Sequence, residues 1–311
     1  MKPMPPHLEI HDGRFAALVH PVSTLDVIAE GFTWTEGPVW FADHNCLLFS
    51  DIPSQSIMRW SQAEGLSVYR DGSGFNNGNT RDGQGRLVGC RHGARDVVRT
   101  EPDGSLRVLA DRFQGKRLNS PNDVVVSSDG SVWFTDPTYG IISNFEGHRS
   151  APEQAARNVF RLTASGDLSA VVTDFVQPNG LCFSPDEQTL YISESGSSHD
   201  ASVPSVIRRF VVEGDKLRDA GVFAEIDRGL PDGMRCDAMG NLWSSAADGV
   251  HCFDAAGVLL GKILVPQVVS NLCFGGRGGH SMFITATSRV YRIFVDVRGA
   301  EPWTRGQADT V

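Results

Sequence analysis

Apolar residues along this chain come in short runs rather than long stripes. Windows rich in Val, Phe, Trp and Ile alternate with clusters of Asp, Gly, Asn and Ser, and no long window repeats at i, i+3, i+4. The one candidate for a helical turn or two is "PEQAARNVF", near Ala155. Six windows share one form: a polar turn, an apolar residue, then a strand that ends on a small residue. They are "FADHNCLLFS", "DGQGRLVGC", "SSDGSVWFT", "SPDEQTLYIS", "CDAMGNLWSS" and "GGRGGHSMFIT". Their first apolar strand residues, Leu47, Leu87, Val132, Leu190, Leu242 and Met282, lie 40 to 58 residues apart. That period belongs to propeller blades. The pattern predicts an all-β chain folded as a six-bladed β-propeller over residues 24–311, with residues 1–23 as an N-terminal leader. "LDVIAEGF" is then expected to supply the outer strand of the last blade and close the ring, leaving no exposed sheet edge.

Ten or eleven residues before each anchor stand Glu36, Asn77, Asn122, Asn179, Asp232 and Asn271. Each opens an apolar segment, and each carries a carboxylate or amide oxygen. The second segment, "NGNT", is the weakest strand, and its register allows Asn76 or Asn79 instead. In a propeller the first strand of every blade lines the central channel. Equivalent positions at the starts of six such strands form a ring on one face of the disc.

Two carboxylates and four amides converging on one axis call for a cation, because the anions alone repel and one takes up a proton. All-oxygen donors favour Ca²⁺ first, then Mg²⁺ or Mn²⁺, with Zn²⁺ a weaker option. Such an ion polarises a carbonyl or phosphoryl group and activates water. Asp232 is the natural general base beside it, with Glu36 the alternative. The turns after each second strand reach the same face. They offer Arg91 and His92 for an anionic or polyhydroxylated substrate, and Tyr139 as a wall. His199 and Asp200 suggest a dyad in a long loop, and residues 140–158 exceed an ordinary turn and suit a lid.

Composition narrows the partners. The net charge of −9 argues against nucleic acid and anionic membrane surfaces. No segment approaches about 18 consecutive apolar residues and the N-terminus has no apolar signal core, so a cytoplasmic location is expected. The six cysteines show no C-x-x-C spacing and read as buried thiols. No G-x-S-x-G, H-E-x-x-H or Walker sequence is present.

"TEGPVW", "LNSPNDVVVSSDGSVWFTDPTYG", "QPNGLCFSPDEQTLYISES" and "LPDGMRCDAMGNLW" together resemble the gluconolactonase family, also named after senescence marker protein-30 and the luciferin-regenerating enzyme. Residues 78–104 look most like its bacterial gluconolactonase branch. The resemblance implies a six-bladed propeller, metal ligation by Glu36, Asn179 and Asp232, contact of Asn122 with metal or substrate, and an acid/base role for Asp232. Animal members carry Arg where Ser120 stands here, which leaves Arg91 as a candidate replacement. A related phosphotriesterase uses a similar ring around Ca²⁺. Three functions therefore stay open: a metal-dependent hydrolase opening a small-molecule sugar lactone, an organophosphate hydrolase or other lactonase on the same site, and a non-catalytic binding propeller.

Overall fold

The computed structural model describes residues 5–301, and the remainder of the expected 24–311 domain lies outside them. All six anchors fall in the second strand of a four-stranded antiparallel blade. The second strands are Cys46–Asp51, Leu87–Arg91, Val132–Asp136, Thr189–Glu194, Leu242–Ala246 and Ser281–Ala286. Their inner neighbours are Thr35–Phe41, Asn76–Arg81, Val124–Val126, Pro178–Phe183, Met234–Cys236 and Val269–Gly275. Each inner strand packs beside the inner strands of the two adjacent blades, so the six close into a ring. The fold is the expected six-bladed propeller.

Asp26–Glu30 pairs antiparallel with Arg289–Phe294 as the outer strand of blade six. Closure thus joins the first propeller strand to the last, as the sequence predicts. Part of the described segment before it packs against blade five. Leu8–Ile10 adds a fifth strand to blade five against Leu259–Leu264, and Phe15 is fully buried, its ring 6.0 Å from that of Trp243. Gly261 makes room for it: a Cβ there would sit 2.5 Å from the Phe15 ring.

Blade faces interlock through large apolar side chains, such as Trp40 of blade one stacked on Phe283 of blade six at 5.1 Å. All six cysteines are buried and unbridged. The helical turn expected near Ala155 is absent there. Arg157–Leu162 is a strand, and the one short α-helical turn among the described residues is Tyr139–Ile142. No helix among the described residues is long and apolar enough to cross a membrane.

Candidate functional site

The ring positions are shaped by a repeated local device. In blades one, two, four and six the ladder between first and second strands is broken where the ring residue sits: between Glu36 and Val39, Asn76 and Asn79, Pro178 and Leu181, and Val269 and Asn271. Such a bulge re-aims a side chain that regular pleating would send into a blade face. In blades three and five regular pairing starts only after Asn122 and Asp232, at Val124 and Met234.

Glycine follows the ring residue in four blades, and close packing explains why. A Cβ on Gly37 would lie 2.1 Å from the Asn77 carbonyl oxygen, one on Gly78 2.5 Å from that of Asn122, and one on Gly180 2.0 Å from that of Asp232. On Gly233 it would overlap the Asn271 amide. Each glycine lets the next blade's ring residue come near the axis. Hydroxyls from second strands then hold those backbones. Ser50 donates to the Asn77 carbonyl at 2.8 Å, Thr135 to that of Asn179 at 2.7 Å, and Ser193 to that of Asp232 at 3.1 Å. Acidic residues at second-strand ends tie down the loops around the opening. Asp51 accepts from the Trp34 N–H at 3.0 Å, and Glu194 accepts from the N–H groups of Val176, Gln177 and Gly196 at 2.7–2.8 Å.

This wiring brings Glu36, Asn77, Asn122, Asn179 and Asp232 together at one cavity of about 180 Å³. Trp34, Ile52 and Leu230 give it apolar walls, Tyr139 closes one side, and Glu146 enters from the 140–158 segment. The volume falls below the several hundred Å³ of drug-sized sites. A wider groove of about 590 Å³ lies against the same segment, with Arg149 and Arg157 on its walls, but none of the ring residues reaches it.

Two observations bear on a cation. The side-chain oxygens of Asn77 and Asn179 are buried and meet no hydrogen-bond donor among the described residues. Leaving a buried acceptor unpaired costs about 1–3 kcal/mol, so two aimed at one cavity point to a missing partner. The carboxyls of Glu36 and Asp232 are both held above their ordinary range, first by burial; Asp123 and Glu146 raise Glu36 further, and Glu36, Asp123 and Glu146 raise Asp232. Glu36 accepts from the Gly37 N–H at 2.7 Å and the Asn271 amide at 3.2 Å. Among the described residues no donor reaches the Asp232 carboxyl, whose backbone is fixed by Ser245. Crowded acids and unpaired amide oxygens are the donor set of a hard divalent ion.

Asp227, Asp248 and His251 form a separate acidic cluster whose ligand atoms lie within 4.8 Å of one another. Lys262 already engages it, its Nζ 2.9–3.2 Å from both carboxylates.

Other expected residues lie elsewhere. Asn271 does not line the cavity. It is buried behind Glu36, bridging from the Glu36 carboxyl toward Asp123. Arg91 is engaged bidentately by Asp96 at 2.6–2.7 Å and faces another crevice, so it does not replace the arginine missing at Ser120. Ser120 itself is buried, donating to the Pro137 carbonyl at 2.7 Å and accepting from the Gly140 N–H. His92 is fully buried behind Asn77, and burial lowers its pKa to about 4. As a neutral ring it donates through Nδ1 to the Glu146 carbonyl at 3.2 Å and accepts at Nε2 from the Asn77 amide at 3.1 Å, which turns the Asn77 oxygen toward the cavity. Asn77 is therefore the blade-two ring residue. Asn76 and Asn79 instead brace blade two against Ser50 and Gly37. Tyr139 lines the site with its hydroxyl against Ser195 and Ser198. His199 and Asp200 do not pair: His199 meets Ser198 and Asp200 meets Ser202.

Sequence reasoning missed Asp123, Arg235 and Glu146. Asp123 occupies the position that is glycine in four other blades, which was a legible sign of a special role. It is buried on the channel 3.8 Å from Arg235, whose charge offsets part of the rise that burial imposes on its pKa.

Comparison with known proteins shows the family of the chain. Residues 34–288 match the sequence profile described as the SMP-30/Gluconolactonase/LRE-like region. A gluconolactonase from Zymomonas mobilis is 34% identical, covering 90% of this chain and 83% of its own. A pentonolactonase from Haloferax volcanii is 28% identical over 80% of each. The structure of a gluconolactonase from Xanthomonas campestris superposes with a TM-score of 0.87 at 37% identity, over 95% of this chain and 99% of the other. With six blades, the four quoted motifs each supplying an inner strand to one channel and a profile match across most of its length, the chain belongs to the SMP-30/gluconolactonase/LRE-like family.

Proposed function

We propose that this protein is a hydrolase of sugar lactones that works with a divalent cation, Ca²⁺ by the hardness of the donors, held by Glu36, Asn179 and Asp232 with Asn122 beside them. The observation that carries this reading is the convergence of two crowded carboxyls and unpaired amide oxygens on one small, partly apolar cavity. The named activities of the relatives support the lactone as substrate class.

A bound divalent ion would supply Lewis-acid polarisation and a lowered pKa for water. The chain's own groups do the rest. Asp232 takes a proton from the water that attacks the lactone carbonyl carbon. As the bond from that carbon to the ring oxygen breaks, Asp232 returns the proton to the departing oxygen, giving the open hydroxy acid. Asn122 orients the substrate at the mouth of blade three. Trp34, Ile52 and Leu230 limit water around the reacting carbonyl, and Tyr139 limits the size of what enters.

The test is hydrolysis of glucono-1,5-lactone above the spontaneous rate, before and after chelation, with Ca²⁺, Mg²⁺, Mn²⁺ and Zn²⁺ added back singly. Asp232→Asn is expected to lower kcat at least hundredfold while the fold survives. Full activity in Asp232→Asn, or in metal-free protein, would remove the mechanism. A fluorophosphate assayed in parallel separates C–O from P–F hydrolysis.

A further inference from the structure

The groove against residues 140–158 is wider than the cavity at the ring, about 590 Å³ against about 180 Å³, and nothing in the proposed reaction uses it. Its walls divide by chemistry. Ile141, Ile142 and Pro152 supply an apolar side, with Ile142 left 46% exposed. Thr138, Ser150, Arg149 and Arg157 supply a polar side, and no acidic residue among the described ones lines it.

Every polar side chain on that side is a donor with nothing to donate to. Neither Arg149 nor Arg157 meets a carboxylate among the described residues. Thr138 is buried; its hydroxyl accepts from the Gln177 amide at 2.8 Å and donates to no described residue. The Ser150 hydroxyl accepts from Arg95 Nη1 at 3.4 Å and likewise donates to none. Arg95 adds a third positive charge behind Ser150. It is buried, its Nε bonds the Leu118 and Asn119 carbonyls at 2.7 and 3.0 Å, and its Nη2 has no acceptor among the described residues. Glu153, 3.6 Å from Arg95, also accepts from the Arg117 N–H at 3.0 Å and stands outside the lining. Three guanidiniums so placed repel one another unless an anion sits between them, and they gather in a chain whose net charge is −9.

The walls are fixed by backbone bonds. Arg157 opens the strand Arg157–Leu162 and pairs with Phe175. Asn144 holds the Arg149 N–H at 2.9 Å, and the Ile141 carbonyl holds that of Ser150 at 2.9 Å. A site formed in advance loses little affinity to ordering. We propose that this groove is a binding site for a small organic anion. Its carboxylate or phosphate lies between Arg149 and Arg157, takes the protons of the Thr138 and Ser150 hydroxyls, and leaves an apolar body on Ile141, Ile142 and Pro152. The site is separate from the ring and does not rest on the lactone reading.

The experiment titrates the full chain calorimetrically, with Ca²⁺ present and at low salt, using hexanoate, hexyl phosphate and neutral hexanamide. The protein is wild type, Arg149→Ala, Arg157→Ala, the double variant and Ile142→Gln. Arg218→Ala, on the outer strand of blade four, controls for net charge. At least one of the two anions should bind wild type about tenfold or more tightly than hexanamide, and the tighter of them names the head group. Each single arginine variant should weaken that anion about tenfold, Ile142→Gln about threefold, and Arg218→Ala should leave it within twofold. Hexanamide binding as tightly as the anions, no binding of either anion, or anion affinity unchanged in the double variant would overturn the assignment. No lactone enters the assay, so either result leaves the hydrolase reading where it stands.

Discussion

Gly180→Ala tests whether the spacing between blades sets the chemistry. Gly180 has no left-handed backbone requirement, so alanine is conformationally allowed there. The added methyl would lie 2.0 Å from the Asp232 carbonyl oxygen and 2.8 Å from its carbon. Ordinary contact begins at 3.4 Å, so the Asp232 backbone must retreat by about 1.4 Å along a direction that also strains its bond from Ser193. Overpacking of this kind costs about 1–3 kcal/mol of stability. Displacing a reacting group by about 1 Å costs on the order of hundredfold in rate. The assay pairs kcat/KM on glucono-1,5-lactone in saturating Ca²⁺ with the melting temperature. Gly83→Ala is the control, since a Cβ there meets nothing within 4 Å. We expect Gly180→Ala to stay folded, lose about two orders of magnitude in kcat/KM, and bind Ca²⁺ more weakly. Activity within twofold of wild type would refute the claim that these glycines fix the ring geometry.

Two further expectations concern the scaffold. Phe15→Ala empties a fully buried site outside the propeller strands and should cost about 3–5 kcal/mol in urea unfolding; a loss under 1 kcal/mol would mean that the N-terminal segment does not stabilise blade five. Asp136 accepts from the Asn119 N–H at 2.8 Å, yet burial lifts its carboxyl to about 7. The native state then holds this proton more tightly than the unfolded chain, so stability falls as pH rises from about 4 to about 7. Asp136→Asn should make the decline between pH 5 and pH 8 shallower by on the order of 3 kcal/mol; an unchanged slope would show that Asp136 titrates normally.

The blade repeat was legible because each second strand carries its own turn, apolar anchor and small terminal residue, all set by local chemistry. The ring was legible for a related reason: fixed spacing from anchor to first strand turns sequence period into angular position. What escaped were contacts between segments with no common period. Glu146 reaches the cavity because of how a non-repeating loop folds back, and no pattern encodes its direction. Arg91 looked free in sequence, but Asp96 on the neighbouring strand claims it across a tight turn. His92 read as a turn residue facing the substrate, whereas the Gly140 backbone packs so closely on it that a Cβ would lie 2.4 Å away. Asn271 fits the repeat in register, but its amide points along the channel to Glu36 rather than into the cavity.

The pairing of Asp26–Glu30 with Arg289–Phe294 has a consequence for biosynthesis. A strand that leaves the ribosome early finds its partner only after more than 250 further residues have been made. Until then the nascent chain presents an unpaired β-edge at its front, and five blades cannot draw the channel shut. The ring of carboxyls and amides is therefore assembled only once the sixth blade has been made, and a truncated product lacking that blade should be sticky.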